Sequence, residues 1–498
     1  MTYLLATVLI LYLVALLALS LYANRRVQDE EDYLVAGRRL PLWLAWGTLL
    51  ATWFGAATVL GAAEAARVEG LRGTILDPFA SGVALVLAGL FFARPLWEMR
   101  LLTLADFYGR KFGPRAEVLA SIIMIPGYFG WIAAQFIALA GIQETFFGIP
   151  PSIGIFIACG VVLTYTMIGG MWSVTLTDTL QIVVVLITLL ILAVATLNQL
   201  GGGIFGGCER LFEETPSDML TLLPVAGTAA WVAWTATWAN GALGNIPGQD
   251  LMQRVFAAQD ATTARRACII AGAVYIGFGL LPVMLGLASR ILLPEDQDGD
   301  ILAVLASQFL TPVLSVVFVV SLVSIIISTC TSAVLSPAAV LGHNLLGRMR
   351  VFHKRGLLVD RLSVLLVATA GVATAFSGKT ILELLELSLS ITFVSLFVPL
   401  VMGLYGRQTK RELPALLAMA FGFVVWLPRE FFEIAVLPMP DDAAGSYPDF
   451  VFESMKDRQW PAPMCSVVFG CVLLPSAISG VIASLLGYSL GQKLTVRD

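Results

Sequence analysis

The sequence predicts an all-α integral membrane protein with thirteen transmembrane helices. Hydrophobic residues make up 58% of the 498 residues and charged residues only 13%, whereas a soluble domain carries about 25% charged residues. The apolar residues also come in runs of about twenty or more, the length that a helix needs to cross a bilayer. These two observations exclude an ordinary soluble protein.

Thirteen apolar segments follow one another along the chain, and each predicts one transmembrane helix. The first, in MTYLLATVLILYLVALLALSLYANRR, has no positive residue before its apolar run and no small-residue cleavage site. We therefore expect a retained span with an outside N-terminus, not a signal peptide. The segments fall near 2–23, 41–66, 73–97, 116–146, 150–169, 171–198, 225–248, 265–292, 301–340, 358–377, 381–405, 412–427 and 462–487.

The distribution of positive charge predicts the orientation. Lys and Arg collect in the cytoplasmic connections of membrane proteins. With the N-terminus outside and the C-terminus inside, 22 of the 30 basic residues fall in cytoplasmic connections, including Arg254, Arg265 and Arg266 after the seventh segment. The longer outer loops, 294–300 and 439–450, are acidic or neutral. We expect a plasma membrane protein, with the bacterial inner membrane as its location.

Cysteine and histidine give no sign of a metal or redox site. The six cysteines are scattered without a C-x-x-C pair, and the two histidines, His343 and His353, lie between spans. Zinc and redox sites need clustered ligands. We expect neither an enzyme nor a nucleic-acid partner.

Two segments contain residues that interrupt a helix. The second includes LLATWFGAATVLG (49–61), and the seventh includes WANGALGNIPGQDLMQR (238–254). Backbone groups freed by Gly and Pro are tolerated in a membrane only where protein or water satisfies them. The two segments open two successive groups of five, and interrupted spans at matching positions indicate a transporter's binding site. Close packing of small residues is the alternative.

The ninth segment carries a stripe of hydroxyl groups in SIIISTCTSAVLS (324–336). An isolated serine in such a helix usually bonds the preceding turn or a neighbouring helix. Ser328 and Thr329 are adjacent, however, and with free carbonyls from an interrupted neighbour they would form an all-oxygen cage for a small hard cation. The stripe consists of Ser321, Ser324, Ser328, Ser332 and Ser336.

A carboxylate lies inside the sixth segment. The stretch YTMIGGMWSVTLTDTLQ (165–181) places Asp178 and Gln181 near its cytoplasmic end. A carboxylate within a membrane is a functional-site hypothesis by default. The alternative is a structural contact to a backbone amide or an Arg.

These motifs resemble those of the sodium/solute symporter family. GGMWSVTLTDTLQ looks like the family signature, and DYLVAGRRLP (32–41), LADFYGRKFG (104–113) and NIPGQDLMQRVFAA (245–258) follow the family order. The resemblance covers essentially the whole chain and implies a LeuT-type fold within one transporter domain. Its parts would be a leading helix and linker (2–40), inverted five-helix repeats (41–198 and 225–405), and two trailing helices with a tail (412–498).

The resemblance also implies a sodium site between the second and ninth spans. It would draw on the carbonyls of Ala51, Phe54 and Ile325 and on the hydroxyls of Ser328 and Thr329. The family pattern further implies that Asp178 contributes to sodium coupling. Sodium is thus the expected co-transported ion.

The solute is less well defined by the sequence. The tryptophans Trp53 and Trp131 resemble those of the choline-transporting branch of the family. A Trp ring over a quaternary ammonium makes a cation–π contact. Gly248 and Leu385 stand where that branch carries further tryptophans, so the cage would be incomplete. We expect a small organic solute, amino-acid-like or ammonium-bearing; aromatic residues that only pack helices are the alternative. The expected lining is Trp53, Tyr128, Trp131, Gln135, Trp234, Trp238, Asn240 and Glu386.

The expected function is sodium-coupled import of this solute by alternating access. A proton-coupled transporter of the same fold, a solute-sensing receptor and a channel remain alternatives. Every Lys lies outside the apolar segments, so a lysine that replaces sodium is not expected. The expected partners are sodium, the solute and the lipid bilayer; the oligomeric state is left open.

Overall fold

The computed structural model describes residues 2–224, 227–294, 300–349, 356–406, 411–431 and 476–495. Their regular structure is helical, with one isolated bridge between Leu40 and Ala258. Among these residues, nine helices are long and apolar enough to cross a membrane, as predicted for an all-α membrane protein. They are Tyr3–Asn24, Ala57–Glu98, Pro114–Phe147, Pro151–Ile168, Gly170–Gly201, Ala261–Leu292, Pro312–Leu346, Leu358–Ala375 and Ile381–Tyr405.

The other four predicted segments are not single long spans in the described residues. The second and seventh are interrupted. The twelfth is the shorter apolar helix Glu412–Leu427. The thirteenth, predicted at 462–487, lies partly outside the described residues, which resume with the helix Ser476–Thr495. The count of thirteen therefore stays a prediction.

The second span is interrupted where the sequence predicts. Its first helix, Leu42–Trp53, ends at Phe54, and helical structure resumes at Ala57. The amide of Gly55 donates to the carbonyl of Trp53 at 2.8 Å instead of reaching back four residues to Ala51. The amide of Ala56 donates to Gln135 Oε1 at 3.1 Å. The carbonyls of Ala51 and Thr52 therefore lose their usual helical donors.

The seventh span is interrupted as well. The helix Thr228–Gly244 ends before Pro247, and the helix Gln249–Ala257 follows with all nine of its residues buried. Proline lacks an N–H and cannot continue the helix. The second helix thus begins inside the protein.

Arg254 corrects one sequence-based expectation. It was predicted in a cytoplasmic connection, but the restarted helix buries it to 2% exposure. Its guanidinium donates to the carbonyl of Asp250 at 3.0 Å and to Ser332 Oγ at 2.5 Å. The physical reason is the break before Gly248, which keeps the next two turns of the chain in the interior.

Gly170 separates the fifth span from the sixth. Its φ of 52° and ψ of −149° break the helix, and a Cβ at this position would lie 2.5 Å from the ring of Tyr33. Only glycine fits both constraints. The sixth span then places Asp178 about two turns from its start.

The ninth span begins with the helix Pro312–Val340, whose residues are almost all buried from Ser321 onward. Several hydroxyls of its serine stripe bond to neighbouring helices. Ser321 Oγ lies 2.7 Å from Thr188 Oγ1, and Ser324 Oγ accepts from Tyr12 at 2.7 Å. Ser336 Oγ donates to Gln253 Oε1 at 3.1 Å. These hydroxyls have the packing role expected of most of the stripe.

A polar cluster lies where the ninth span ends. His343 Nδ1 is 2.6 Å from Glu30 Oε1, and its Nε2 is 3.5 Å from Asp106 Oδ1. Burial opposes ionisation of Asp106, but hydrogen bonds from His343, from the Thr103 amide and from Asn344 outweigh it and lower its pKa to about 2. Asp106 therefore stays ionised and fixes this end of the span.

Candidate ion and solute site

The ninth span meets the break of the second span at a cluster of oxygen atoms. Thr329 Oγ1 donates to the released carbonyl of Ala51 at 3.2 Å. One turn of the sixth span lies alongside, and there Asp178 Oδ1 accepts from Ser328 while Oδ2 accepts from Thr48 at 2.6 Å. All five residues are buried. The structure thus brings a backbone carbonyl, three hydroxyls and one carboxylate together.

Gly55 allows this close approach. A Cβ at Gly55 would lie 2.6 Å from Thr329 Oγ1, well inside van der Waals contact. Phe54 follows the end of the first helix, and Ile325 lies one turn before Thr329; both are fully buried. The predicted sodium residues therefore lie on the two elements that form the cluster.

The donor set suits a small hard cation. Hard cations take oxygen ligands, including carboxylates, carbonyls and hydroxyls. Here the only charge among the clustered ligands is the Asp178 carboxylate, whose two oxygens are held by Ser328 and Thr48. This carboxylate would attract a monovalent cation.

A cavity lies on the other side of the broken second span, between it and the interrupted seventh span. The space in it that a water-sized sphere can occupy measures about 40 Å³, less than the usual range of small-molecule sites, so a bound solute requires the cavity to widen. None of its described lining residues is Lys, Arg or His. The lining is Trp53, Gly55, Ala57, Asp77, Ser81, Gly127, Tyr128, Trp131, Gly244, Asn245, Gly248, Asp250, Tyr275, Leu385, Ser388, Leu389 and Thr392.

Asp250 is the first of two carboxylates in the cavity. Its Oδ2 accepts from Trp53 Nε1 at 2.6 Å, and its Oδ1 accepts from the hydroxyl of Tyr128 at 2.5 Å. Arg254, one turn further along the helix, attracts it electrostatically. Both oxygens of Asp250 thus have donors from the protein.

Asp77 is the second carboxylate. It stands at a break in the third span, with φ −143° and ψ 126°. The hydroxyl of Tyr275 lies 2.9 and 3.0 Å from its two oxygens. Tyr275 also contacts Thr58 Oγ1 at 2.5 Å and the carbonyl of Trp53 at 3.1 Å. Trp53 therefore contacts Asp250 through its indole N–H, and its carbonyl contacts the Tyr275 hydroxyl that bonds Asp77.

Three of the predicted solute residues line the cavity: Trp53, Tyr128 and Trp131. The rings of Tyr128 and Trp131 lie 5.9 Å apart. Together with Trp53 they give the cavity an aromatic wall.

The structure does not bring the other five predicted residues into the lining. Gln135 instead supplies the acceptor for Ala56 at the helix break. Trp234 donates to the carbonyl of Leu222 at 2.8 Å, in the outer part of the seventh span. The ring of Trp238 packs 5.9 Å from that of Trp234. Asn240 donates to Ser390 Oγ at 3.0 Å, and Glu386 is exposed.

Asp77, Asp250 and Tyr275 were not predicted from the sequence as site residues. Asp77 lies within the predicted third span, 73–97, and the default that made Asp178 a candidate applies equally to it. Asp250 directly follows the Pro–Gly break, at the restarted helix. Tyr275 gave no signal, because a single tyrosine in an apolar span is ordinary.

Comparison with known proteins decides the family. The profile of the Sodium:solute symporter family matches residues 33–422. The chain belongs to this family. Human high affinity choline transporter 1 is 25% identical over 81% of this chain and 73% of its own length. The sodium/glucose cotransporter of Vibrio parahaemolyticus is 23% identical over 59% of this chain and 57% of its own.

Solved structures agree on the fold. A Na+-coupled sialic acid symporter in a substrate-bound outward-open state superposes with a TM-score of 0.72 at 17% identity, covering 98% of both chains. MhsT in complex with L-phenylalanine gives 0.53 at 12% identity, covering 90% of this chain and 98% of its own. The LeuT-type fold implied by the sequence motifs is confirmed. This symporter is a membrane transporter, not an enzyme, and sodium is its co-transported ion.

Removing a hydroxyl from the oxygen cluster tests the sodium site. If Ser328 is a ligand of the predicted sodium site, Ser328→Ala would leave the ion one oxygen short, at a cost of about 1–3 kcal/mol. We expect the sodium concentration for half-maximal uptake to rise roughly tenfold or more. Thr329→Ala is expected to act similarly. The measurement is the sodium dependence of uptake or of thermal stabilisation.

Ser315→Ala is the matched control. It removes a buried hydroxyl near the start of the same helix, and its sodium dependence should equal that of the unmodified chain. Unchanged sodium dependence in both Ser328→Ala and Thr329→Ala would show that these hydroxyls do not bind the ion.

Proposed function

We propose that this symporter imports a small organic solute with a positively charged nitrogen. The observation that carries the proposal is the cavity, where two carboxylates, Asp77 and Asp250, meet an aromatic wall and no cationic side chain is among the described lining residues. Carboxylates and aromatic faces both attract organic cations. The similarity to choline transporters supports the same class of solute.

The sodium ion binds, in this proposal, at the carbonyls of Ala51, Phe54 and Ile325 and the hydroxyls of Ser328 and Thr329. Asp178 supplies the negative charge and couples the ion to the rest of the site. The released Ala51 carbonyl and the hydrogen bonds of Ser328 and Thr329 support this assignment.

The balance of buried charge supports one sodium and one monovalent solute. Around the two sites, the described buried charges are the carboxylates of Asp77, Asp178 and Asp250 and the guanidinium of Arg254. Three negative charges and one positive charge leave two negative charges. An isolated buried charge is costly unless paired, so two cations complete the loaded state when all three carboxylates are ionised.

The transport cycle is alternating access in the plasma membrane, with the bacterial inner membrane as the proposed location. The repeats 41–198 and 225–405 rock around the site, the N-terminus lies outside and the C-terminus inside. The matched breaks and the distribution of basic residues support this arrangement. Two charges crossing about 100 mV and a tenfold sodium gradient release roughly 6 kcal/mol. That free energy supports roughly ten-thousandfold accumulation of the solute.

A panel of solutes tests the solute class. Thermal stability of the purified chain is measured with cationic, zwitterionic, neutral and anionic solutes, each in sodium and in potassium. We expect stabilisation by cationic solutes, and only in sodium, because ion and solute bind to a common state. Stabilisation confined to neutral or anionic solutes would refute the proposed class. Equal stabilisation in potassium would refute coupling at this site.

A further inference from the structure

We infer that Asp77 binds the solute's cationic nitrogen and that this nitrogen carries N–H bonds. The subsite consists of the Asp77 carboxylate, the hydroxyls of Tyr275 and Thr58 and the carbonyl of Trp53. The inference rests on the proposed function, which it sharpens from an organic cation in general to a protonated amine. A quaternary ammonium is excluded by this subsite.

The subsite has more oxygen contacts than protons to fill them. Five O···O separations of 2.5 to 3.2 Å connect Thr58, Tyr275, Trp53 and Asp77. The two hydroxyls supply one proton each, and the carbonyl of Trp53 already accepts from Gly55. At least one acceptor of the carboxylate thus awaits a donor.

Asp77 also lacks a neutralising charge. It is 4% exposed, and no described Lys, Arg or His forms an ion pair with it. A buried carboxylate in this situation requires a cation or a proton. Asp77 and Tyr275 both line the cavity, where the proposed solute would contact them.

Asp250 is the weaker candidate for this role. Its two oxygens each accept a strong hydrogen bond, from Trp53 Nε1 and from Tyr128. Arg254 already attracts its negative charge. Asp250 therefore holds Trp53 and Tyr128 of the aromatic wall in place, whereas Asp77 binds the solute.

Acceptor-rich sites distinguish ammonium groups by their N–H bonds. A primary ammonium presents three donors to the oxygens of Asp77 and its neighbours. A quaternary ammonium presents none, and it would leave the buried acceptors unpaired. Sites built to hydrogen-bond a group discriminate strongly against analogues that lack it. We expect a preference of at least about 100-fold for the N–H form.

Two matched pairs of probes test this subsite: methylammonium with tetramethylammonium, and ethanolamine with choline. Very small ligands bind weakly, with a Kd of the order of 10 mM, so thermal stability of the full chain in sodium is followed to about 100 mM. We expect methylammonium and ethanolamine to stabilise the chain, and tetramethylammonium and choline to have no effect.

Three variants connect the effect to the subsite. Asp77→Asn should abolish stabilisation by methylammonium, and Tyr275→Phe, which keeps the ring, should weaken it about tenfold. Glu64→Gln removes an exposed carboxylate from the outer half of the second span and should leave it unchanged. Sodium-dependent stabilisation should persist in all three, which also shows that each variant is folded.

The outcomes separate this inference from the proposed function. Choline as effective as ethanolamine would overturn the N–H assignment while leaving a cationic solute in place. Stabilisation by methylammonium that survives Asp77→Asn would overturn the subsite, as would no effect of any probe at about 100 mM. Loss of sodium-dependent stabilisation in an Asp77→Asn variant that still unfolds cooperatively would make Asp77 an ion ligand and would overturn it too. The proposed solute class is tested separately in the broader panel, where it fails if neutral or anionic solutes alone stabilise the chain.

Discussion

Asp178→Asn is expected to raise the sodium concentration for half-maximal uptake at least about 100-fold. The carboxylate is the only charged group among the clustered ligands, and it holds Ser328 and Thr48 through its two oxygens. If sodium binds at this cluster, a unit charge about 4 Å from it would contribute roughly 4 kcal/mol at an effective dielectric constant of about 20. Most of this attraction disappears with the neutral amide.

The measurement for Asp178→Asn is the sodium dependence of uptake by the purified chain in proteoliposomes. Glu98→Gln makes the same type of change at an exposed carboxylate that pairs with Arg94, and should have no effect. If Asp178→Asn kept the sodium dependence of the unmodified chain, Asp178 would be a structural contact, the alternative that the sequence left open.

Arg254→Gln is expected to lower the free energy of unfolding by about 1–3 kcal/mol, because it removes the buried hydrogen bonds of the guanidinium to the Asp250 carbonyl and to Ser332, and takes a positive charge away from Asp178 and Asp250. The guanidinium is 2% exposed and attracts both carboxylates. Unfolding by a denaturing detergent, followed through tryptophan fluorescence, measures the change.

Two comparisons make the Arg254 prediction specific. Arg94→Gln breaks only the exposed pair with Glu98, and a surface pair contributes about 0–1 kcal/mol. Adding Asp250→Asn to Arg254→Gln should restore part of the lost stability, since it removes one uncompensated charge. A loss no larger than that of Arg94→Gln would show that Arg254 does not neutralise these carboxylates.

The elements that form the oxygen cluster could be predicted from the sequence. Interrupted spans are indicated by Gly55 with its small neighbours and by Pro247 with Gly248. Such residues free backbone groups, which a membrane tolerates only where protein or water satisfies them. Adjacent Ser328 and Thr329, and a carboxylate at 178, are equally unusual in apolar helices. These signals are local, so they can be read without knowledge of the packing.

The cavity was harder to predict, because its lining depends on how the helices on either side of each break are oriented. Trp234 and Trp238 are close in sequence to the break, yet the helix that carries them points them away from the cavity. Tyr275 lies in an unbroken span and becomes significant only beside Asp77. Arg254 was predicted in a cytoplasmic connection, but the restarted helix buries it. Hydropathy and spacing do not contain this directional information.

The most direct test of sodium coupling to a cationic solute is the influx of radioactive sodium into proteoliposomes that contain the purified chain. We expect ethanolamine to accelerate sodium influx in the unmodified chain and not in Asp178→Asn. We expect an inward sodium gradient, but not an equal potassium or proton gradient, to drive solute accumulation. Sodium influx that no cationic solute changes, or accumulation driven equally well by protons, would contradict this account.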